Sequence, residues 1–316
     1  MNTERKVGVV AIAGRPNAGK STLLNKILGS TLSIVTPKAQ TTRERVLGIL
    51  TEKKGQILFV DTPGIHHAKE GGINEFMMKE VKGALEGVDA VWFLLDPESK
   101  IQAEEKVIAL LAGLGPNVPV YLVFNKVDLL KRGSDRVKKH ALELLELVVK
   151  KSKEAGIQLK GPFEISAKTG RGVEDLLNPT WEELKVGPLL YSDEEQLSDR
   201  PTKFFVAEMI REQLFHFLGE ELPYSCAVEV EKFQEDAKPL RVEAVIHVER
   251  DSQKGMVIGA KGAKIKEIGT AARGRIEKFL GTKIFLGLRV DVLKDWSKEA
   301  KHLKALGYAL GSEVSR

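Results

Sequence analysis

The sequence predicts an α/β domain with a mostly parallel sheet, followed by a linker and a smaller α+β domain. Strand-like and helix-like segments alternate through residues 1–185, a pattern typical of a parallel sheet with helices on both faces. Residues 186–202 interrupt this pattern with glycine, prolines and a run of Ser, Asp and Glu, which indicates a linker. Residues 203–316 then follow the order helix, strand, strand, helix, helix and strand, which describes a small α+β domain.

The elements of the first domain are predicted from hydrophobic periodicity and from the turn residues that flank them. Short apolar runs predict strands, and Leu and Val at helical spacing predict helices. A turn at Lys53-Lys54-Gly55 joins the second and third strands as a hairpin. The predicted strands are residues 7–13, 45–51, 56–60, 88–95, 118–124 and 163–165, and the predicted helices are residues 20–28, 101–112 and 134–155.

The elements of the second domain are predicted in the same way, with glycines marking the turn between its two central helices. The predicted helices are residues 203–218, 255–260 and 262–280 with a further one at the C-terminus, and the predicted strands are residues 225–232, 240–249 and 283–292. No internal repeat or low-complexity segment interrupts either domain in the sequence.

Composition and charge narrow the class of protein. Cys226 is the single cysteine, which excludes an intramolecular disulfide and is typical of a reducing, cytoplasmic compartment. No stretch approaches the ~20 apolar residues of a membrane span. Residues 251–316 carry 14 basic and 7 acidic side chains, whereas the rest of the chain carries 35 basic and 37 acidic ones. This asymmetry indicates a polyanionic partner or, equally, a solvated basic surface.

The segment between the first strand and the first helix has the spacing of a phosphate-binding loop. It reads Gly14-Arg15-Pro16-Asn17-Ala18-Gly19-Lys20-Ser21, with Thr22 next, and matches G-x-x-x-x-G-K-[ST]. The glycines let successive backbone N–H groups point at phosphate oxygens, and the following helix directs its positive end at the same phosphates. Lys20 would contact the β- and γ-phosphates, and the Ser21 hydroxyl would bind Mg²⁺.

A second polar segment, Asp61-Thr62-Pro63-Gly64, follows the strand at residues 56–60. A carboxylate at the end of a buried strand can hold Mg²⁺, usually through water. Gly64 can donate its N–H to a γ-phosphate and release it after cleavage. Taken alone, the segment would be an ordinary turn at the end of a strand.

Two further segments predict that the nucleotide is GTP. Asn125-Lys126-Val127-Asp128 and Ser166-Ala167-Lys168 each follow a predicted strand. The Asp128 carboxylate can accept hydrogen bonds from both N1–H and N2–H₂ of guanine, a donor pair that adenine lacks. Lys126 would lie along the base, Asn125 would tie loops together, and a backbone N–H near Ala167 can meet guanine O6. Four such motifs at the carboxyl ends of strands are a strong combination, because open α/β sheets bind ligands there.

The motifs GRPNAGKS, DTPG, NKVD and SAK together resemble those of the translation-factor-related GTPases, and Gln40-Thr41-Thr42-Arg43 resembles the Era-like branch of that class. The resemblance implies hydrolysis of GTP to GDP and phosphate. It places Thr42, with Thr41 as a further candidate, in the first switch, where the threonine hydroxyl joins Ser21 and Asp61 around Mg²⁺. The alternative interpretation of the two threonines is loop polarity. The catalytic residues that the resemblance implies are Lys20, Asn17, Thr42 and Gly64.

The position after the DTPG turn departs from many small GTPases, which have a water-orienting Gln there. Here it is Ile65, which is usual in the Era-like branch. In related GTPases an Asn at the position of Asn17 coordinates K⁺, so the resemblance implies slow, K⁺-stimulated hydrolysis. The alternative is a structural Asn17 that caps the loop. His66 and His67 could bind a metal or act as a base, but adjacent histidines in a polar segment are more often solvated.

The second domain contains G-x-x-G between two helices, at residues 259–262, inside a strongly basic segment. Paired glycines let a backbone approach a nucleic-acid strand, lysines neutralise phosphates, and apolar side chains form a groove for unstacked bases. The order of elements resembles the type II KH domain, an RNA-binding fold. The alternative is a basic structural domain. The RNA-binding residues that the resemblance implies are Lys254, Ile258, Gly259, Ala260, Lys261, Gly262, Lys264, Lys266 and Arg273.

A type II KH domain after an Era-like GTPase domain resembles the Era family of ribosome-assembly GTPases over nearly the whole chain. The resemblance implies a monomer that binds the single-stranded 3′ end of small-subunit ribosomal RNA and acts in maturation of the 30S subunit. The alternative is a nucleotide-gated module that binds another RNA, with hydrolysis only as a reset. The amphipathic terminal segment, with Trp296, Leu303, Leu306 and Tyr308, either packs on the domain or forms a peripheral membrane contact.

Overall fold

A computed structural model describes residues 5–65, 71–115, 117–219 and 221–308. The described residues form two compact units. The first unit is drawn from Met1–Ser33, Thr42–Ala68 and Met78–Asp199, and the second from Ile34–Thr41, Lys69–Met77 and Arg200–Arg316. His66 and His67, considered above as ligands or bases, lie outside the described residues.

The first unit is built on one sheet, which among the described residues has seven strands in the order β2-β3-β1-β4-β5-β6, with β7 beside β1. The strands β1 to β7 are Lys6–Gly14, Val46–Glu52, Gly55–Asp61, Ala90–Leu95, Val120–Phe124, Leu159–Glu164 and Lys185–Val186. β2 pairs antiparallel with β3, as the predicted hairpin requires, and the pairs β3–β1, β1–β4, β4–β5 and β5–β6 are parallel. The prediction of a mostly parallel α/β sheet is therefore confirmed.

Helices lie between these strands along the chain. The helices α1 to α6 are Lys20–Leu28, Gly72–Leu85, Ile101–Leu111, Val127–Arg132, Asp135–Glu154 and Val173–Glu183. The N-terminal part of α2 belongs to the second unit. α1, α3 and α5 were expected from their apolar spacing, whereas α2, α4 and α6 were not. Gly72 and Gly83 lower the helix propensity of α2, and Pro179 lies inside α6. β6 begins before its predicted start, because Gly161 and Pro162 indicate a break but are tolerated in an edge strand.

The core of the first unit lies where β1, β4 and β5 pack against helices. β4 and β5 are buried along their whole length, which explains why their sequences are continuous apolar runs. Phe93, Leu122 and Val148 belong to one buried cluster, and burial of each such side chain stabilises the fold by about 1.5–3 kcal/mol. A rigid sheet of this kind holds the loops at its carboxyl edge in defined positions.

The segment predicted as a linker is bonded to the first unit along much of its length. The side-chain oxygen of Gln56 accepts the backbone N–H groups of Leu190 and Tyr191, each at 2.9 Å. Further on, the Ile49 N–H donates to the Leu197 carbonyl at 2.8 Å. The Ser/Asp/Glu-rich residues are thus held against β2 and β3.

The second unit has the predicted element order. Its helices α7 to α10 are Thr202–Phe217, Asp251–Ile258, Ala263–Leu280 and Ala300–Ala305, and its strands β8 to β10 are Ala227–Gln234, Leu240–Val248 and Ile284–Val292. The sheet order is β10-β9-β8, with β8 and β9 antiparallel and β9 and β10 parallel. The predicted α+β domain is confirmed.

The residues of the amphipathic terminal segment are packed inside the second unit. Trp296, Leu303 and Tyr308 are buried in one cluster with Phe76 and Met77. The indole N–H of Trp296 also donates to the Ser225 carbonyl at 2.9 Å. This packing accounts for the apolar face of the segment. None of the described helices has both the length and the apolar composition needed to cross a bilayer.

Residues 34–41, which precede Thr42 in the chain, belong to the second unit. The Lys38 ammonium donates to the Leu218 carbonyl at 2.6 Å, and the Tyr224 hydroxyl donates to the Ala39 carbonyl at 3.0 Å. The Arg211 guanidinium donates to the Thr41 carbonyl. Part of the predicted first switch is therefore anchored by the C-terminal half of the chain.

Candidate functional site

The phosphate loop connects β1 to α1 through backbone conformations that favour glycine. Gly14 has φ 154°, Gly19 has φ 100°, and Asn17 adopts the left-handed conformation with φ 62°. A Cβ atom at Gly19 would lie 2.2 Å from Nδ2 of Asn125. This position therefore requires glycine both for its φ angle and for its close neighbour.

Lys20, the first residue of α1, folds back over the phosphate loop. Its ammonium donates to the carbonyl oxygens of Gly14 at 3.1 Å and Arg15 at 2.9 Å. Burial lowers the pKa of Lys20 to about 8, although the nearby carboxylates of Asp61 and Glu104 act to raise it. The ammonium is therefore charged at neutral pH and poorly solvated, which favours its interaction with a phosphate.

Three oxygen-bearing side chains meet beside the loop. The Ser21 hydroxyl donates to Oδ2 of Asp61 at 2.6 Å and lies 3.1 Å from the Thr42 hydroxyl. Asp61 is fully buried, and burial raises its pKa, while Lys20 and Ser21 oppose the rise. Its Oδ1 atom has no hydrogen-bond partner among the described residues.

This arrangement fits a magnesium site. Mg²⁺ binds oxygen ligands, and a buried carboxylate oxygen without a partner is costly unless something satisfies it. The hydroxyl of Thr41 is engaged elsewhere, since it lies 2.9 Å from the Thr36 hydroxyl and donates to the Lys38 carbonyl at 3.0 Å. Of the two candidate threonines, the structure thus brings Thr42, and not Thr41, to Ser21.

The turn after β3 packs directly on the phosphate loop. The Thr62 hydroxyl donates to the Ile12 carbonyl at 2.9 Å, and the Ile65 N–H donates to the Gly14 carbonyl at 3.2 Å. A Cβ atom at Gly64 would lie 2.6 Å from Cα of Pro16, so only glycine fits there. The side chain of Ile65 is buried in the core of the first unit.

The two loops expected to hold guanine are joined through Asn125. Its Nδ2 donates to the Ala18 carbonyl at 2.8 Å, and its Oδ1 accepts the Ala167 N–H at 2.9 Å. The Ser166 hydroxyl donates to Oδ1 of Asp128 at 2.6 Å, which orients this carboxylate. The phosphate loop and both base loops form one hydrogen-bonded assembly.

A shallow hollow of about 340 Å³ adjoins these base loops, and Ala167 and Lys168 form one side of it. Thr22, Asn25 and Gly29 from α1 and its C-terminal turn form the other side. Lys126 has a left-handed backbone with φ 62°, and its ammonium pairs with Asp96 at 2.7 Å. Neither Asp96 nor Asn25 was expected from the motifs.

Arg15 makes a contact that sequence reasoning missed. Its guanidinium donates to the Ser99 hydroxyl at 2.6 Å, and Ser99 in turn donates to the buried carboxylate of Glu104. One signal was available in the sequence. Glu104 shares the apolar stripe of α3 with Ile101 and Ile108, and an acidic residue at such a position requires a buried partner.

The glycine turn of the second unit has a backbone that only glycine adopts readily. Gly259 has φ 73° with ψ 175°, Gly262 has φ 77°, and Lys261 between them has φ 51°. A Cβ atom at Gly259 would lie 2.6 Å from Cβ of Lys264. The turn therefore presents an exposed lysine on a backbone kept bare by glycines.

A groove of about 410 Å³ lies between α9 and β10. Lys266 and Arg273, one heptad apart on α9, line one side, and Leu286 and Leu288 of β10 line the other. Ile265, Gly269 and Thr270 complete the lining. Of these groove residues, only Lys266 and Arg273 were expected from the sequence.

The basic side chains of this segment divide into paired and unpaired groups. Lys254 pairs with Asp291 at 3.6 Å, and Lys264 pairs with Glu267 at 2.8 Å. Lys261, Lys266 and Arg273 are exposed, and no ion pair is found for them in the part of the chain that the structure describes. These three cations are available to an external phosphate backbone.

Comparison with known protein families gives two matches. The model of a family described as 50S ribosome-binding GTPase matches residues 9–126. The model of the KH domain matches residues 221–297. The two matches fall on the phosphate-loop unit and on the unit with the glycine turn, respectively.

Curated relatives and solved structures match over 95–97% of the chain. GTPase Era of Geobacter metallireducens is 45% identical over 308 residues, covering 95% of this chain and 97% of the relative. GTPase Era of Staphylococcus haemolyticus is 39% identical, covering 97% of this chain and 98% of the relative.

Two solved Era structures resemble the fold closely. Aquifex aeolicus Era bound to GDP and AlF4⁻ has a TM-score of 0.85 and 37% identity, covering 96% of this chain and all of that one. Era in complex with MgGDPNP and nucleotides 1506–1542 of 16S ribosomal RNA has a TM-score of 0.86 and 36% identity, covering 97% of this chain and all of that one.

Proposed function

This chain belongs to the Era family of GTPases, and on that premise we propose a division of work between its two units. The first unit binds GTP at the phosphate loop and hydrolyses it to GDP and phosphate. The second unit binds the single-stranded 3′ region of small-subunit ribosomal RNA in the groove between α9 and β10. The observation that carries the proposal for the first unit is the convergence of Ser21, Thr42 and Asp61 beside Lys20.

The residues of the first unit divide recognition of the nucleotide among them. Lys20 and the backbone N–H groups of the loop hold the phosphates, because they lie at the positive end of α1. Asp128, oriented by Ser166, accepts both donors of the guanine edge and so excludes adenine. Asn125 keeps the base loops and the phosphate loop at a constant separation.

The same residues prepare the site for hydrolysis. Ser21, Thr42 and Asp61 would hold Mg²⁺, which neutralises charge on the phosphate oxygens when it is bound. Gly64 would place its N–H toward the γ-phosphate, since its lack of a side chain allows the close approach to Pro16. Because Ile65 points into the core, the chain supplies no water-orienting side chain at that position.

We further propose that K⁺ assists hydrolysis at Asn17. This residue is exposed in the phosphate loop, three positions before Lys20, and its backbone is left-handed. Phosphate release should then be several-fold faster in K⁺ than in Na⁺ at equal ionic strength. Asn17→Ala should remove that difference, and equal rates for the unchanged protein in both salts would exclude the role.

The groove supports RNA as the ligand of the second unit. Apolar side chains from α9 and β10 can receive unstacked bases, while Lys261, Lys266 and Arg273 neutralise the phosphates that follow. Only one side of the groove is basic, so a single strand fits better than a duplex. We infer that the target is the 3′ region of the 30S ribosomal RNA and that the protein acts as a cytoplasmic monomer in maturation of that subunit.

The RNA proposal is tested by fluorescence anisotropy with three labelled RNAs of equal length. These are the 3′-terminal sequence of 16S ribosomal RNA, a scrambled single strand and a duplex, each with GDP and with a non-hydrolysable GTP analogue. We expect the 3′-terminal strand to bind tightest. Equal binding of the scrambled strand would favour a module for another RNA, and no binding of any strand would remove the RNA claim.

The GTPase is tested in parallel by phosphate release with GTP and with ATP. We expect turnover of GTP only. The matched control is Lys20→Ala, which should bind RNA as the unchanged protein does but release no phosphate. Loss of RNA binding in that control would mean that the groove depends on the nucleotide.

A further inference from the structure

The strongest unexplained feature of the first unit is a chain of polar contacts that leads from the interior to the phosphate loop. Glu104 on α3 is fully buried, and Ser99, just before α3, is 2% exposed. Ser99 donates to Oε1 of Glu104 and accepts a hydrogen bond from the Arg15 guanidinium at 2.6 Å. Arg15 also lies 3.8 Å from Glu104 as an ion pair.

At its other end, this series of polar contacts reaches Lys20, the residue proposed to hold phosphate. Arg15 directly follows Gly14, and its own carbonyl oxygen accepts a hydrogen bond from the Lys20 ammonium at 2.9 Å. The guanidinium is thus anchored at Ser99, while the peptide of the same residue orients Lys20. A displacement of Arg15 would remove one of the two carbonyl acceptors that the structure gives this ammonium.

Independent contacts fix the loop that carries Ser99. The Ser99 carbonyl lies 3.0 Å from Nε2 of His140 on α5, and the Ser99 N–H donates to the Asp96 carbonyl at 3.0 Å. The Asp96 carboxylate pairs with Lys126 of the base loop at 2.7 Å. Ser99 is therefore a rigid point from which Arg15 can be held.

Burying a carboxylate costs desolvation free energy that an apolar side chain of similar size would not cost. Burial raises the pKa of Glu104 to about 7, although Ser99 and Arg15 act to lower it, and its Oε2 atom has no partner among the described residues. A Leu or Met at this position on the apolar stripe of α3 would satisfy packing alone. The Glu104 carboxylate instead accepts the hydrogen bond of the Ser99 hydroxyl. The lone pairs of the hydroxyl oxygen therefore face Arg15.

We propose that Ser99 and Glu104 are positioning residues that hold the phosphate loop, through Arg15, in the conformation that binds a β-phosphate. The inference rests on the proposed GTP site and deepens it, because it assigns the preorganisation of Lys20 to side chains outside the four nucleotide motifs. The effect is confined to phosphate groups and does not extend to recognition of the base.

The test compares ligands that differ only in the β-phosphate. Calorimetric titration gives the affinities for GDP and for GMP of the full-length protein and of Ser99→Ala and Glu104→Ala. We expect the affinity for GDP to fall about 10-fold, which corresponds to loss of one charge-assisted hydrogen bond. The affinity for GMP should stay within about 2-fold of its original value, since additivity errors are of that size.

The matched control is Glu105→Ala, which removes the neighbouring carboxylate of α3. Glu105 is half-buried and pairs with Lys151 at 3.4 Å, away from Arg15 and Ser99, so its removal should change neither affinity. Thermal melting of each free protein shows whether it is folded. Arg15→Ala removes the guanidinium at the partly exposed end of the same contacts. This variant should lower the affinity for GDP by the same factor. It therefore keeps the test open if the protein with a substitution at buried Ser99 or Glu104 does not fold.

A double-mutant cycle between Arg15→Ala and Ser99→Ala decides the mechanism. Because both act through one contact, the double variant should bind GDP no more weakly than either single variant. Additive losses, an unchanged GDP affinity, or equal losses for GDP and GMP would each overturn the positioning role. If the unchanged protein failed to bind GDP at all, the proposed GTP site itself would be wrong, which is a separate outcome.

Discussion

The phosphate loop and the Gly259–Gly262 turn have similar backbone conformations but differ in how their residues are bonded to the rest of the structure. Each relies on glycines at positive φ and each presents a lysine. The phosphate loop is bonded to neighbouring elements by Asn125, by Lys20 and through Arg15. Lys261 in the glycine turn is exposed, and no ion pair is found for it among the described residues.

The difference follows from the ligands that the two loops suit. A nucleotide is small and densely charged, so its site gains affinity from rigid, preorganised groups that need no rearrangement on binding. A nucleic-acid strand offers many phosphates, so each contact can be weak and exposed while the sum is large. Single substitutions should therefore have large effects in the first loop and small, additive effects in the second.

The largest difference between the two loops is expected when a glycine in each is replaced by alanine. At Gly19 a Cβ atom would lie 2.2 Å from Asn125, whereas at Gly262 no atom lies within 4 Å. Gly19→Ala should lower GDP affinity at least about 100-fold, because it displaces the loop from its phosphates. Gly262→Ala should lower RNA affinity only about 10-fold, through the strain of a positive φ.

Titration of both variants with labelled GDP and with labelled RNA measures the two effects side by side. Each variant serves as the control for the other, since Gly19→Ala should leave RNA affinity in the GDP-free protein unchanged. Comparable losses at both sites would show that the glycine turn is as rigidly supported as the phosphate loop.

The next largest effect concerns the choice of base. Asp128→Asn replaces one acceptor with a donor that opposes guanine N1–H and N2–H₂, so GDP affinity should fall about 100-fold or more. Affinity for xanthosine diphosphate should rise, because xanthine carries a carbonyl where guanine has its amino group. Competition titrations with the two diphosphates measure this. An unchanged preference for GDP would mean that Asp128 does not contact the base.

The four nucleotide motifs could be predicted from the sequence because each is local and follows a recognisable strand. The sheet order agrees with them, since β1, β3, β4, β5 and β6 all end at the same edge. Contacts between motifs could not be predicted. Ser99 lies 84 positions from Arg15, and only the pairing of β1 with β4 brings them together.

The RNA groove shows a second limit of sequence reasoning. The glycines and the basic residues could be identified by type and spacing, but Leu286 and Leu288 look like any residues of a half-buried strand. Their position opposite Lys266 and Arg273 becomes visible only when β10 lies beside α9. Helix α6 was missed for a different reason, because Pro179 within it suggests a break although the flanking residues are well packed.

The pH dependence of stability should also differ between the two units, with opposite signs for one carboxyl group in each. The folded-state pKa of Glu104, about 7, lies above its ordinary 4.5, with Arg15, Asp96 and Lys20 as the charged groups that act on it. Protonated Glu104 therefore contributes favourably to the stability of the fold below pH 4.5, and this contribution is lost as pH rises through about 7. Glu104→Gln should stabilise the first unit at pH 8 by up to about 3 kcal/mol.

Glu277 in the second unit provides the matched comparison. The Lys283 ammonium lowers the pKa of Glu277, so its contribution is present above pH 4.5 and is lost as pH falls. Calorimetric melting between about pH 3 and pH 8 covers both windows, and the units are separated because GDP raises only the transition of the first. Glu104→Gln should flatten the pH slope of that transition alone. A flattened slope in the other transition would contradict the assignment.

The smallest single effects are expected in the RNA groove, where they can be sorted by salt dependence. For single strands, the slope of log affinity against log salt changes by about 0.7 for each phosphate contact that is lost. Lys266→Ala and Arg273→Ala should each reduce the slope by that amount, and the double variant by twice as much. Leu286→Ala should weaken binding without changing the slope, because it removes a base contact and no charge.

Lys283→Ala is the control for charge, since its ammonium already pairs with Glu277 at 2.7 Å and lies outside the groove. It should leave both affinity and slope nearly unchanged. If Lys266→Ala, Arg273→Ala and Lys283→Ala all reduced the slope equally, RNA would be bound by the net charge of the domain and not specifically in the groove. If only Lys266 and Arg273 do so, and Leu286 acts independently of salt, the strand lies between α9 and β10.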